Sequence, residues 1–270
     1  MTDSIGHKNN QADESKQPDL KIGFEEFLED VFGLNIRSAK TIGVMFKNPS
    51  TYFQAARTPD WKQLYTPSLR LWLGLMTIMV ALQFIWARPD GTLMQMFKQA
   101  MEGGLQTGIE SGSGKEVDLK GFDFDAALTA MMKLNTLIYP FIFITAMSFL
   151  ALIFRAWGEK LSYVVRQRYI FAIIVPGTVI GLISTIFITF ASTEAYMVIS
   201  LIQIFAIIAL YFITAYRGPY AHMEAGEKFG RSTFLSLSIF IILLIAQFIS
   251  YTIAMFVTLL PALKAHLGAA

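Results

Sequence analysis

Apolar residues along this chain gather into five long runs separated by short polar connections: Leu69–Trp86, Leu134–Phe154, Tyr169–Phe190, Ala195–Tyr216 and Thr233–Leu260. About 20 helical residues cross the ~30 Å hydrocarbon layer of a bilayer. Each run approaches or exceeds that length and is nearly free of ionisable groups in its interior. In lipid only a helix satisfies its own backbone hydrogen bonds, so the pattern predicts an all-α, polytopic membrane protein with five transmembrane helices. The first run is the shortest and starts at Arg70, a side chain that can snorkel to the headgroups from one turn inside a span.

Two helical patterns precede the spans. In Ile22–Phe32 the apolar residues Phe24, Phe27, Leu28, Val31 and Phe32 recur at i, i+3, i+4, i+7 and i+8, and Glu25, Glu26, Glu29 and Asp30 lie opposite. This acidity argues against direct binding to anionic lipid, which favours basic amphipathic helices. Two readings stay open: the stripe packs on the protein's own inner face, or it docks a partner. A second helix is predicted from Ser38 as N-cap to a stop near Asn48–Pro49, with Ile42, Val44, Met45 and Phe46 beside Lys40 and Lys47, an interfacial pattern. The expected organisation is a disordered tail over 1–20, cytoplasmic amphipathic and interfacial helices over 21–67, a membrane domain over 68–262, and an outer tail over 263–270. Within the membrane domain, residues 87–133 form an outer loop in which Gly103–Gly104 and 111–114 read as flexible breaks. Leu93–Met101 and Phe124–Met132 read there as short helices.

Charge placement orients the chain. Arg37, Lys40, Lys47, Arg57, Lys62 and Arg70 precede the first span, Arg155, Lys160, Arg166 and Arg168 separate the second from the third, and Arg217, Lys228 and Arg231 separate the fourth from the fifth. The turn Ser192–Thr193–Glu194 has no basic residue, and the tail after the fifth span has only Lys264. By the excess of basic residues in cytoplasmic loops, the N-terminus is expected in the cytoplasm and the C-terminus outside, in the periplasm of a bacterial inner membrane. Arg57, Lys62, Arg70, Arg155, Arg166 and Arg168 are candidate headgroup contacts, although the same charges also follow from topology alone.

Composition removes several chemistries. The chain has no cysteine, a hydrophobic fraction of 54% and a formal charge of only +2, so neither thiolate chemistry nor a nucleic-acid partner is signalled. Mean hydropathy is +0.49, outside the usual soluble range. The residues before Leu20 lack the apolar core of a secretory signal. His7, His222 and His266 show no metal-ligand spacing; His222 and Glu224 make only a superficial dyad, better read as part of a solvated loop. Inside the spans the polar groups are Gln83, Asn135, Gln203, Gln247 and scattered hydroxyls, which more often join helices than touch substrate. Pro140, Pro176 and Pro261 fall in or at the ends of spans, and Pro176–Gly177 is the best candidate hinge. No catalytic, cofactor-binding or metal residue is predicted.

Three stretches carry a resemblance: Met45 to Tyr52 (MFKNPSTY) followed by Leu64 to Trp72 (LYTPSLRLW), Leu152 to Trp157 (LIFRAW) through Tyr163, and Leu210 to Tyr216 (LYFITAY) before Gly230 to Thr233. In spacing and residue type the chain resembles a bacterial inner-membrane family described as a domain of unknown function, and more distantly the five-span Yip-type membrane proteins. Many of those relatives carry an N-terminal cysteine-pair zinc ribbon, which a chain without cysteine does not share. The resemblance implies non-enzymatic work in membrane organisation. The expected function is a scaffold or interaction protein using its cytoplasmic face, with the lipid bilayer and a protein as partners; the alternative is a small permease or lipid or solute carrier.

Overall fold

The computed structural model describes residues 34–58, 60–86, 121–153, 161–189 and 191–269, with scattered positions between 95 and 107. Five helices in it are long and apolar enough to cross a membrane, and no strand occurs among the described residues. The chain is an all-α multi-pass membrane protein.

Three short helices lead in: α1 (Ile36–Lys47), α2 (Pro49–Ala55) and α3 (Trp61–Leu64). The spans are α4 (Ser68–Trp86), α5 (Phe124–Ile153), α6 (Tyr163–Thr189), α7 (Thr193–Arg217) and α8 (Ala225–Ala254). A π-helical turn, Met255–Leu259, joins α8 to α9 (Leu260–Ala269), so the fifth span continues as one rod through what the sequence marks as an outer tail.

Several expected boundaries move. Phe124–Met132 is the opening third of α5 and not a separate helix. Asp125 and Lys133 interrupt the hydropathy there, but Ala126, Ala127, Leu128, Ala130 and Met131 are good helix formers, and the backbone ladder needs propensity rather than apolarity. Residues 101–104 are helical, so Gly103–Gly104 is no break. The cap of α1 is Asn35, not Ser38. Ser38 N–H donates to Asn35 Oδ1 at 3.0 Å and Asn35 N–H to Ser38 Oγ at 3.2 Å, which makes Ser38 the third helical residue of a reciprocal capping box. Its expected end holds: Asn48 is the C-cap, and Pro49 opens α2 where no N–H is required.

In the bundle α6 packs against α4, α5 and α7, while α8 closes the other side against α5 and α7. Residues 169–175 of α6 are at most 1% exposed all round, as expected of a helix apolar on every face and therefore placed at the centre. Aromatic rings join α4, α5 and α6: Trp72 stacks on Phe143 with centroids 4.9 Å apart and meets Phe171 at 5.5 Å. Phe141, Phe149, Phe205 and Phe248 instead face outward, the arrangement a lipid solvent favours. Pro140 and Pro176 lie inside α5 and α6. Gly177, next to the latter, is a packing notch: a Cβ there would stand 2.5 Å from the Tyr211 ring of α7. A buried polar pair joins α5 to α8, with Ser250 Oγ donating to Asn135 Oδ1 at 2.5 Å. Gln203 faces Gly181 across the α6–α7 contact, and Gln247 bonds Tyr251 one turn along α8. The side chain of Gln83 lies outside the described residues.

Candidate functional site

The start of α4, the end of α5, the start of α6, the end of α7 and the start of α8 lie together at one end of the bundle, here called the basic end. The sequence marks Arg57, Lys62, Arg70, Arg166 and Arg168 as candidate headgroup contacts. The structure turns most of the described arginines toward backbone carbonyls. Arg166, 5% exposed, sends Nη1 to the Ala151 carbonyl at 2.9 Å and Nε to the Leu161 carbonyl at 3.1 Å. It satisfies orphan acceptors at the last turn of α5 and puts a cation at the negative end of that helix. Arg168 donates to the Ala56 carbonyl at 2.8 Å and lies over the Trp61 ring, 4.4 Å from its centroid. Its own carbonyl accepts from Ser68 Oγ at 2.7 Å, tying the start of α4 to α6.

The lead-in helices are fastened in the same way. Arg57 Nε donates to Tyr169 Oη at 2.5 Å, and Tyr169 Oη in turn donates to the Phe53 carbonyl at 3.0 Å. Arg217 donates to the Lys47 carbonyl at 2.8 Å, at the end of α1, and Arg37 donates to the Lys62 carbonyl at 3.1 Å. Hydroxyls complete the contact: Thr66 N–H donates to Thr41 Oγ1 at 3.0 Å, Ser38 and Thr66 share a bond of 3.1 Å, and Tyr52 Oη reaches the Thr66 carbonyl at 3.4 Å. Burial pushes the Tyr52 phenol above its ordinary range, so it stays a neutral donor. The result is a shelf of α1–α3 bound across the ends of α4, α6 and α7.

Of the candidate headgroup contacts, Arg57 and Arg168 meet around Ala56 and Tyr169, Arg168 half-buried and Arg57 exposed; Arg166 is buried at the α5 terminus, and Lys62 and Arg70 are exposed. Arg155 lies outside the described residues, as do the candidate docking residues Phe24, Phe27, Leu28, Val31 and Phe32 and the 1–20 tail.

Beside the shelf is a cavity of about 410 Å³, lined by Ser50, Phe53, Gln54, Arg57, Tyr169, Gly218, Pro219, Ala221 and His222. Sequence reasoning did not find it, because its walls come from three segments more than 40 residues apart. Gly218 is required by close approach, since a Cβ there would run into the Phe53 ring and the Thr214 carbonyl. His222 is exposed, as expected of a loop residue, yet also lines this cavity. Among the described residues no group of three His, Cys, Asp or Glu could hold a metal ion.

At the opposite end, Phe122 packs edge-on to Phe124 and against the His266 ring, with centroids 4.7 and 5.6 Å apart. Lys98 pairs with Asp125 at 3.0 Å, and that hydrogen bond raises the lysine pKa above its ordinary value. Leu128, Met131 and Ala254 form a small second core between the projecting parts of α5 and the fifth span.

Fold and site together define a five-span helical membrane protein with a stapled shelf at one end. Among known proteins the chain matches no family model, no curated protein and no solved structure.

Proposed function

We propose that this protein is a non-enzymatic scaffold of a bacterial inner membrane, with its N-terminus and shelf in the cytoplasm and its C-terminus in the periplasm. The observation that carries the reading is the fastening of the shelf: long-range bonds from Arg57, Arg168 and Arg217 hold α1 and α2 on the bundle, a few residues after Ile22–Phe32 in sequence. A fixed platform next to an amphipathic stripe suits the presentation of that stripe to a partner protein. The close aromatic packing of Trp72, Phe143 and Phe171 between α4, α5 and α6 supports a static body over a conduit. The resemblance to five-span Yip-type proteins points the same way. A small permease or lipid or solute carrier is the second reading, and the cavity beside the shelf is the observation that favours it.

A photo-crosslinking amino acid in place of Phe27 tests the scaffold directly. The expected result is one defined protein adduct that Phe24→Asp abolishes while the melting temperature stays at the wild-type value. Adducts confined to the protein's own shelf, with a lowered melting temperature for Phe24→Asp, would show that the stripe only packs internally.

A further inference from the structure

We propose that one side of the shelf rests on the membrane surface and binds anionic phospholipid. Packing turns the large apolar side chains of α1–α3 inward: Met45, Tyr52, Phe53, Trp61 and Tyr65 are buried. Ile36 and Leu64 are instead 66% and 54% exposed. They belong to one patch, because Arg37 Nη1 donates to the Lys62 carbonyl at 3.1 Å and so joins the first turn of α1 to α3. Ile36, Lys40 and Lys47 fall at i, i+4 and i+11, a single stripe of α1, and Lys40 stands over the Tyr65 ring, 6.0 Å from its centroid. Arg37, Lys40, Lys47 and Lys62 are all exposed.

Charge and depth name lipid as the neighbour. Residues 34–73 hold Arg37, Lys40, Lys47, Arg57, Lys62 and Arg70 against the single acid Asp60, a balance that attracts an anionic surface. Leu64 stands four residues before Ser68 opens α4, and Leu73 on that helix is 40% exposed, so the patch runs on into the lipid-facing side of the span. A basic helix with apolar residues on its exposed face lies in this layer, the apolar side chains entering the boundary between headgroups and acyl chains. Topology alone requires cations at this end, but no exposed isoleucine or leucine beside them. A scaffold and a carrier would rest on lipid in the same way, so the inference stands apart from the functional reading.

The test uses the full chain in phosphatidylcholine nanodiscs. The sequence has no cysteine, so Leu64→Cys carries a single bimane label, and Gln54→Cys, exposed on α2 beside the exposed Thr51, carries the control. Phosphatidylglycerol or phosphatidylcholine with a spin label on the same acyl carbon is added at equal level, and iodide probes access from water. The Leu64 label should be quenched more by the phosphatidylglycerol probe than by the phosphatidylcholine probe and little by iodide, while iodide quenches the Gln54 label. Lys40→Gln with Lys62→Gln should lower the phosphatidylglycerol preference about fivefold or more at an unchanged melting temperature, because each cation near an anionic surface contributes about that factor. Iodide quenching of the Leu64 label to the extent of the Gln54 label would overturn the proposal, as would equal quenching by the two lipids or a preference that the double lysine variant keeps. Shielding of the Leu64 label from lipid and iodide alike would also overturn it, in favour of cover by the acidic segment Ile22–Phe32.

Discussion

Arg166 belongs to α6, yet its Nη1 donates to the Ala151 carbonyl at the end of α5, 2.9 Å away. One side chain thus closes the terminus of the preceding span and pins it to the next. Arg166→Met would leave buried carbonyls without a donor and should lower stability by about 2–3 kcal/mol, while Arg166→Lys should recover part of the loss. Reversible chemical denaturation in mixed micelles reads the difference.

Gly177 and Tyr211 make a second prediction. A methyl at Gly177 would meet the Tyr211 ring at 2.5 Å, and that ring is 2% exposed with little room to retreat. Gly177→Ala should therefore cost about 1–3 kcal/mol by overpacking. Combining it with Tyr211→Leu should give a cycle in which the two changes are less harmful together than their sum. Strict additivity of the two losses would show that the helices do not meet here.

The Asn135–Ser250 pair is buried between α5 and α8. Asn135→Leu removes the Oδ1 acceptor, leaves Ser250 Oγ only the longer 3.3 Å bond to the backbone carbonyl of residue 135, and should destabilise by about 1–2 kcal/mol. Asn135→Leu with Ser250→Ala should be milder than Asn135→Leu alone, because removing both polar partners leaves nothing unsatisfied. Thermal melts of the three variants in one detergent decide it.

Topology gives a fourth expectation. Among the described residues, the basic side chains before α4, at the start of α6 and around the α7–α8 turn share one end of the bundle, and that end is proposed to be cytoplasmic. Alkaline phosphatase fused after Ala270 should be active, and a fluorescent protein at the same site dark. The reverse pattern would invert the orientation.

The spans were legible because a run such as Ala195–Tyr216 has only one stable form in lipid, and α7 indeed covers Thr193–Arg217. Where polar residues interrupt hydropathy without interrupting a helix, as Asp125 and Lys133 do in α5, the pattern misplaced the boundary by about three turns. The first turn of α1 was misread for a local reason: Asn35 and Ser38 are both good caps, and spacing alone does not choose between partners that bond each other. The shelf was not legible. Arg57 and Tyr169 are 112 positions apart, and an arginine that staples a carbonyl has the same one-letter signature as one that snorkels to a headgroup. The cavity was hidden for the same reason, since its walls meet only after α2, α6 and the turn following α7 have packed.

In a scaffold of this kind, a dry, packed bundle carries a water-exposed cytoplasmic shelf. The absence of native cysteine makes single-cysteine labelling the most direct measurement of it. Ile174, 1% exposed in mid-bundle, and Gln54, exposed on the shelf, are replaced by cysteine one at a time and treated in sealed membrane vesicles with a membrane-impermeant maleimide. Gln54→Cys should react only from the cytoplasmic side, and Ile174→Cys should stay unlabelled from both sides until the protein is unfolded. Labelling of Ile174→Cys in the folded protein would reveal a water path through the bundle and make the protein a carrier instead of a scaffold.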